Sequence, residues 1–447
     1  MMDLSDSFFL KQSIVLKNDS KTLVLHGNIL YRKYGRRVAD DDLPWVLDFL
    51  RRRRDYRGLS LAYNRLSDDG LGAIALFLAE HRHVSSLNVM CNKITCRGVL
   101  RLAELGADMP LQSLRVNGNQ IGPEGGRGLA RLATQCPALE HLDVAETDQS
   151  LGSLELLASV LHRGDCSLGL LDLSAPLGPA GHVFDSRQFA DSLASALQVN
   201  TSLRELHVQK CRLGCHDVQL LAAGLARNGS LLLLDLCCNL VADDGAEHLA
   251  SVLRRGPPLR GLLLAHNRVS DAGASSLGER LGGPRRASTG PDGPLVRRNL
   301  SHGVPYSKLW LLDLAHNRLT DDGVLSILHT LKKAFYSRAL YLWGNSITHV
   351  SLKVMKRMLR SKVLHQDFLD VRIYSVDGVD QAAYNHVDRS CVLYYCVSDP
   401  RGDPAAALKE AVPTRVVYLE EQGLLPARLG PASLGDTPPL SPCISRA

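Results

Sequence analysis

The chain has 447 residues, of which 45% are hydrophobic and only 5% aromatic, and a formal net charge of +6. So small a surplus over this length gives no argument for a nucleic-acid partner, and the scarcity of aromatic residues excludes a core built mainly on aromatic anchors. Eleven cysteines, an odd number without a C-x-x-C pair, point to free thiols in a reducing compartment rather than to a disulfide framework.

Residues 1–20 read as a lead-in or cap. Met1 to Ser13 holds Asp3 and Asp6 and lacks a basic-then-apolar pattern, so no signal peptide is expected. No apolar run in the chain reaches the ~18 residues that a membrane span requires. A first unit starts at Leu23, carries extra residues around Tyr31 to Arg37, and continues into a helix over 41–51. That helix ends in Arg51, Arg52, Arg53 and Arg54. Cations are favoured at a helix C-terminus; with Arg32, Lys33, Arg36 and Arg37 upstream, they also form a candidate basic patch for nuclear import or an anionic partner.

From here one phrase recurs. L-S-L-A-Y-N-R-L at Leu59 to Leu66 returns at Leu87 to Ile94, Leu114 to Ile121, Leu234 to Val241 and Leu312 to Leu319. Its asparagine position is Asn28, Asn64, Asn92 and Asn119, then Thr147, Pro176 and Cys211 as substitutes, then Asn239, Asn267, Asn317 and Asn345. These positions define eleven units of about 28 residues with three insertions. In each unit the alternating leucines face the core of a strand, and the asparagine side chain satisfies backbone groups left unpaired where the chain turns. Stacked copies make a ladder. Ser67-Asp68-Asp69-Gly70 then starts a helix whose Leu71, Ile74, Ala75 and Leu78 recur at helical spacing, and Asp243-Asp244-Gly245, Asp271-Ala272-Gly273 and Asp321-Asp322-Gly323 repeat that start. The expected fold is an α/β solenoid of about eleven strand–helix units over residues 21–362, with a parallel sheet on the concave face and helices outside.

Three departures are expected. Proline at 176 breaks the ladder where the unit also carries extra residues up to Phe184. The interval from Asn267 to Asn317 exceeds one period by 22 residues, and the segment 282–306, rich in Gly, Pro, Ser and Arg, reads as a disordered insertion. Within it, Ser288 follows Arg285-Arg286-Ala287, a spelling basophilic kinases accept. After the basic last helix, residues 363–397, with a turn at Val376-Asp377-Gly378, read as a C-terminal cap, and 398–447 as a Pro/Gly-rich disordered tail.

There is no G-x-x-x-x-G-K-[ST] phosphate loop, no G-x-S-x-G elbow and no H-E-x-x-H, so neither catalysis nor a metal or other cofactor is expected. What remains is surface. The strand register puts Asp143, Asp172, Asp235 and Asp313 in one outward column, with Arg115, His207 and Tyr341 completing it and Met90, Gln209, Lys210, His266, His316 and Trp343 beside it. The reading is a protein-binding groove with Tyr341 and Trp343 as aromatic anchors. Aspartate is also simply common at such a position on a solvated face.

The unit L-x-L-x-x-N-x-[LIV]-x-x-x-G followed by an Ala/Leu-rich helix resembles the ribonuclease-inhibitor class of leucine-rich repeats over roughly residues 20–362. Leu87 to Asn92, the irregular unit around Pro176, Tyr341-Leu342-Trp343-Gly344-Asn345 and Val376-Asp377-Gly378, in that order, are similar to a non-enzymatic group of that class. The resemblance implies the nucleus, nucleolus and cytoplasm and a link to germ or pluripotent stem cells. Three functions are carried forward: an interaction scaffold with protein partners, a small-GTPase-activating regulator, and a ribonuclease-inhibitor-type binder. The scaffold is preferred, since no distinctive catalytic pair marks the strand-to-helix loops and a positively charged chain suits a basic ribonuclease poorly.

Overall fold

The structure is a computed structural model and describes residues 4–15, 20–176, 184–281, 309–331 and 339–387. The expected insertion with Ser288, most of the loop after Pro176, and the tail from 398 lie outside the described residues.

Among the described residues, twelve strands form one sheet in chain order: β1 (Ser13–Val15), β2 (Lys21–Val24), β3 (Tyr56–Ser60), β4 (Ser86–Asn88), β5 (Ser113–Arg115), β6 (His141–Asp143), β7 (Leu170–Asp172), β8 (Glu205–His207), β9 (Leu233–Asp235), β10 (Gly261–Leu263), β11 (Leu311–Asp313) and β12 (Ala339–Tyr341). β1 runs antiparallel to β2, and the other eleven strands are parallel, one for each unit. The register sets leucine beside leucine, from Leu59 and Leu87 through Leu234 and Leu262 to Leu312 and Leu340. Every one of these is buried. Helices on the other side need roughly 8–10 Å between axes whereas strands need about 4.8 Å, so the stack curves with the sheet inside.

The asparagines tie each unit to its neighbour. Asn239 donates to Val208 O of the preceding unit at 2.9 Å and to Leu236 O of its own at 2.9 Å, while its Oδ1 accepts from Cys211 N and Leu213 N. Asn64, Asn92, Asn119, Asn267, Asn317 and Asn345 bridge in the same way. Thr147 donates to Val144 O, with Gln149 reaching back to Gly122 O, and the Cys211 thiol turns inward towards Leu173 O. Asn28 is no member of the ladder. It sits exposed in the helix Gly27–Tyr34, formed by the residues expected to be a mere extension of the first unit, and its Oδ1 accepts from Ile29 N.

A second ladder runs along the helix starts. The Asp68 carboxylate accepts from Thr95 N at 2.8 Å and Thr95 Oγ1 at 2.7 Å, both in the next unit, and Asp243 does the same for Ser270 and Asp271 for Thr320. The glycine of the Asp-Asp-Gly phrase makes room for this bond. A Cβ on Gly273 would stand 2.6 Å from Asp243 Oδ1, which instead accepts from Gly273 N.

Both ends are closed. The helix Asp6–Lys11 and β1 cover the first unit, with Phe9 packed on Phe49 at 5.0 Å and Phe49 on Tyr56 at 5.3 Å. Aromatic residues thus pack together in the core at this end. At the other end β13 (Val371–Val376) and β14 (Val379–Tyr384) make a hairpin whose turn residues Asp377 and Gly378 both have positive φ. Lys356 of the basic last helix is not simply solvated: it pairs with Asp380 of that hairpin. Asp370 prolongs the asparagine ladder, accepting from Leu342 N at 2.7 Å and Trp343 N at 3.1 Å.

Candidate interaction face of the sheet

Successive strand residues alternate sides, so each strand offers its first and third residues to the concave face. The last residues of β3 to β12 form a continuous column: Ser60, Asn88, Arg115, Asp143, Asp172, His207, Asp235, Leu263, Asp313 and Tyr341.

The aspartates of that column have a local task. The Oδ1 atoms of Asp143, Asp172, Asp235 and Asp313 accept from the backbone N of Ala145, Ser174, Cys237 and Ala315 at 2.9–3.2 Å. The amide two residues beyond each strand end also faces the concave side, where it has no place in the strand ladder. A carboxylate there satisfies it, which accounts for the recurrence of aspartate without any partner.

Between β5 and β9 the groups also interact across strands. His207 Nδ1 lies 3.1 Å from Asp235 Oδ2 and its Nε2 3.3 Å from Glu205 Oε2, and Gln209 Nε2 donates to the same Asp235 oxygen at 2.5 Å. Burial opposes a charged imidazole, but the hydrogen bonds to Asp235 and Glu205 outweigh it and hold the His207 pKa well above its ordinary value. For Asp235 burial works upwards, and the His207 contacts overcome it and keep its pKa low. Asp143 is the opposite case. Burial and the neighbouring Asp172 charge raise its pKa to about 7, although Arg115 lies 3.5 Å away. Arg115 and Asp172 remain half-exposed, as do Met90 and Gln209, while Lys210 is exposed and pairs with Glu146 at 3.3 Å.

From β9 to β12 the face changes character. Leu233, Leu263, Leu311, Ala339 and Tyr341 form a hydrophobic cluster separate from the solenoid core, joined by Cys237, Ala265 and Ala315 and closed by Phe368 and Val387. Tyr341 is 1% exposed, so it is no surface anchor: Phe368 and Val387, beyond the last repeat, complete the cluster in which it lies. Asp235 and Asp313 are buried too, at 1% each, which removes them from the accessible face. Trp343 is half-buried, with its ring 5.8 Å from that of Tyr384. His266 and His316 are exposed, their rings stacked at 4.2 Å. Both hold positive φ, as does the residue before the ladder position in most units, among them Tyr63, Cys91, Lys210 and Cys238, with glycine at 118 and 344. The sequence shows that the chain turns here but not that the turn is left-handed, because glycine, the usual signal, stands at so few of the copies.

The basic patch is largely occupied by the protein itself. Arg52 grips Asp6 of the N-terminal helix through two bonds of 2.9 and 3.0 Å and also reaches Asp48. Arg53 reaches Asp6 at 3.4 Å and lies over the Phe49 ring, and Arg51 donates to His81. Arg54 is exposed at the turn that follows. Among the described residues no group of three or more His, Cys, Asp or Glu is arranged to hold a metal ion, and no helix is long and apolar enough to cross a membrane.

The family described as Leucine Rich repeat matches residues 57–75, 80–103, 107–130 and 308–328. NACHT, LRR and PYD domains-containing protein 14 of Mus musculus is 31% identical over 296 residues, covering 65% of this chain and 27% of that protein. Ribonuclease inhibitor of Sus scrofa is 27% identical over 300 residues, covering 62% of this chain and 61% of the inhibitor. The chain thus spans about a quarter of the one relative and three fifths of the other. Among solved structures, a TLR13–ssRNA13 complex aligns with a TM-score of 0.38 at 18% identity, over 70% of this chain and 35% of that one, a likeness too slight to carry an argument. With its eleven stacked strand–helix units and two side-chain ladders, the described part of the chain has the fold of a leucine-rich-repeat solenoid, and its repeats are similar to those of ribonuclease inhibitors.

Proposed function

We propose that the protein is a non-enzymatic interaction scaffold that binds a protein partner on the polar part of its sheet, between β4 and β8. One observation carries this reading: Arg115, Asp143, Asp172 and His207 stand side by side on the consecutive strands β5 to β8, so their charges act together on anything that enters the concavity. With Glu205 the carboxylates outnumber the cations, and the partner surface that suits them is basic. Its half-exposed members, Arg115 and Asp172, are the ones to change, because reversing the charge of buried Asp235 or Asp313 disrupts the fold first. Full-length protein and the double variant Arg115→Glu, Asp172→Lys are compared by pull-down and quantitative mass spectrometry. Loss of a discrete partner set supports the reading; retention of every partner refutes it. By the resemblance of its irregular units, the protein's place is the nucleus, nucleolus and cytoplasm of germ or stem cells, which imaging of the tagged chain tests.

A second reading, binding of a ribonuclease, draws on the similarity to ribonuclease inhibitor over 300 residues. Titration against a pancreatic-type ribonuclease distinguishes the two: stoichiometric inhibition favours this one.

A further inference from the structure

We propose that the open edge of β14, with the basic rim of the last helix beside it, receives an extended acidic segment of a partner protein as a further strand. Among the described residues β13 and β14 form a sheet of two strands. Their register sets Val376 opposite Val379 across the turn, and at the other end Asn385 N donates to Asp370 O at 2.8 Å. Hydrogen-bonded pairs alternate with open ones in an antiparallel pair, so Asp380, Ala382 and Tyr384 direct their N–H and C=O groups away from β13. No backbone bond carries these groups to another element among the described residues. Such an edge is a template for one more strand.

The place of the edge decides what fits it. Leu369, just before β13, bridges to Leu340 of β12, whereas the last helix, His349–Arg360, lies against β14. The hairpin therefore crosses the end of the stack from sheet to helix, and its open edge runs on the helix side. There Lys353, Lys356 and Arg360 stand at i, i+3 and i+7 and make one stripe. Lys356 is engaged, pairing with Asp380 and donating to Ser375 Oγ at 2.9 Å. Arg360 faces the same spot, since its charge adds to the Lys356 hydrogen bond in holding the Asp380 pKa below its ordinary value. Lys353 and Arg360 are exposed and, like Arg357 beside them, have no ion-pair partner among the described residues. This separates them from Arg51, Arg52 and Arg53, whose cations are taken up by Asp6, Asp48 and His81. An added strand alternates its side chains between two faces. On one it meets the Lys353–Arg360 stripe, which suits carboxylates. On the other it continues the outer face of the hairpin, where Tyr374, Val376 and Val379 are exposed, and apolar residues suit that. The partner segment is one in which acidic and apolar residues alternate. None of these residues lies on the concave face, so the proposal is independent of what binds between β4 and β8.

The probe is a six-residue peptide alternating glutamate and valine, matched in length to β14 and added to the full-length chain. Fluorescence anisotropy of the labelled peptide reads affinity, and amide-resolved hydrogen exchange reads place. The expected result is binding that weakens with salt, slower exchange at Asp380, Ala382 and Tyr384, and a dissociation constant raised about tenfold or more by Lys353→Glu with Arg360→Glu. The same peptide methylated at alternate backbone nitrogens keeps its charges but cannot pair as a strand, so it should bind the native chain far more weakly, whether or not the variant keeps its fold. Failure of the native chain to bind the peptide, equal binding of the methylated peptide, or an unchanged dissociation constant in the folded variant overturns the proposal. So does protection of those three amides before any peptide is added. The edge is then already occupied, by a second copy if protection grows with protein concentration and by the chain itself if it does not.

Discussion

The polar part of the sheet between β4 and β8 and the apolar part between β9 and β12 are built from the same unit in the same register, yet they are different surfaces. On the first, outward residues pair with one another and several keep access to solvent, as Arg115 and Asp172 do. On the second, the equivalent positions hold Leu233, Leu263, Leu311 and Tyr341 and are closed off by residues that follow the last repeat. An outward position in a repeat is therefore a statement about direction, not about exposure. What lies above it is decided elsewhere in the chain.

The comparison can be broken most forcefully at Tyr341. If it belongs to a packed cluster, Tyr341→Ala lowers stability by about 3–5 kcal/mol in urea unfolding, whereas a surface anchor would change it by well under 1 kcal/mol. On the polar side the corresponding test is Asp235→Asn, which leaves His207 without its charged partner. A loss of about 1–3 kcal/mol is expected, smaller than for Tyr341 because Glu205 still accepts from the imidazole.

A finer test uses pH. The Asp143 pKa rises on folding from 3.8 to about 7, so the folded state holds this proton more tightly. Its contribution is complete below about pH 3.8 and is lost as pH rises through 7. His207, also raised, contributes fully below its ordinary value and loses that contribution as pH passes its raised one. The urea midpoint should therefore carry a downward slope from both groups, and Asp143→Asn should flatten it below pH 7 while leaving the decline above. A profile that the substitution leaves unaltered argues against a buried Asp143. The smallest effect belongs to neither part of the sheet. Arg52→Ala should leave the midpoint nearly unchanged and speed amide exchange in residues 6–15, because the exposed Asp6 contact is screened by water.

Much of the fold could be read from spacing, since leucine alternation and the interval between asparagines are local and periodic, and Asp377-Gly378 spelled its own turn. Asn28 misled because it follows Leu23 and Leu25 at the same offset at which Asn239 follows Leu234 and Leu236, while the Gly27–Tyr34 helix, sustained by Leu30 in the core, claimed it. The carboxylate of Asp68 was legible as part of a helix start but not as an acceptor for the next unit, a contact that exists only once two units stack. The outward column could be listed in order from sequence, but not its accessibility. Tyr341 is covered by residues lying 27 and 46 positions further on, a relation with no period to reveal it.

The joint between the ninth and tenth units has a consequence for how the chain can change. Asp271 holds Thr320, Asn317 donates to Leu264 O, and β10 pairs with β11 without a shift. The two units are thus fastened on the helix side and on the strand side, although 27 residues of sequence, 282–308, separate their described parts. Lengthening the connection between ends already fixed in place costs only about 0.6 kcal/mol for each doubling. This joint is where the chain can gain or lose sequence, up to an inserted domain, while the repeats on either side keep their places.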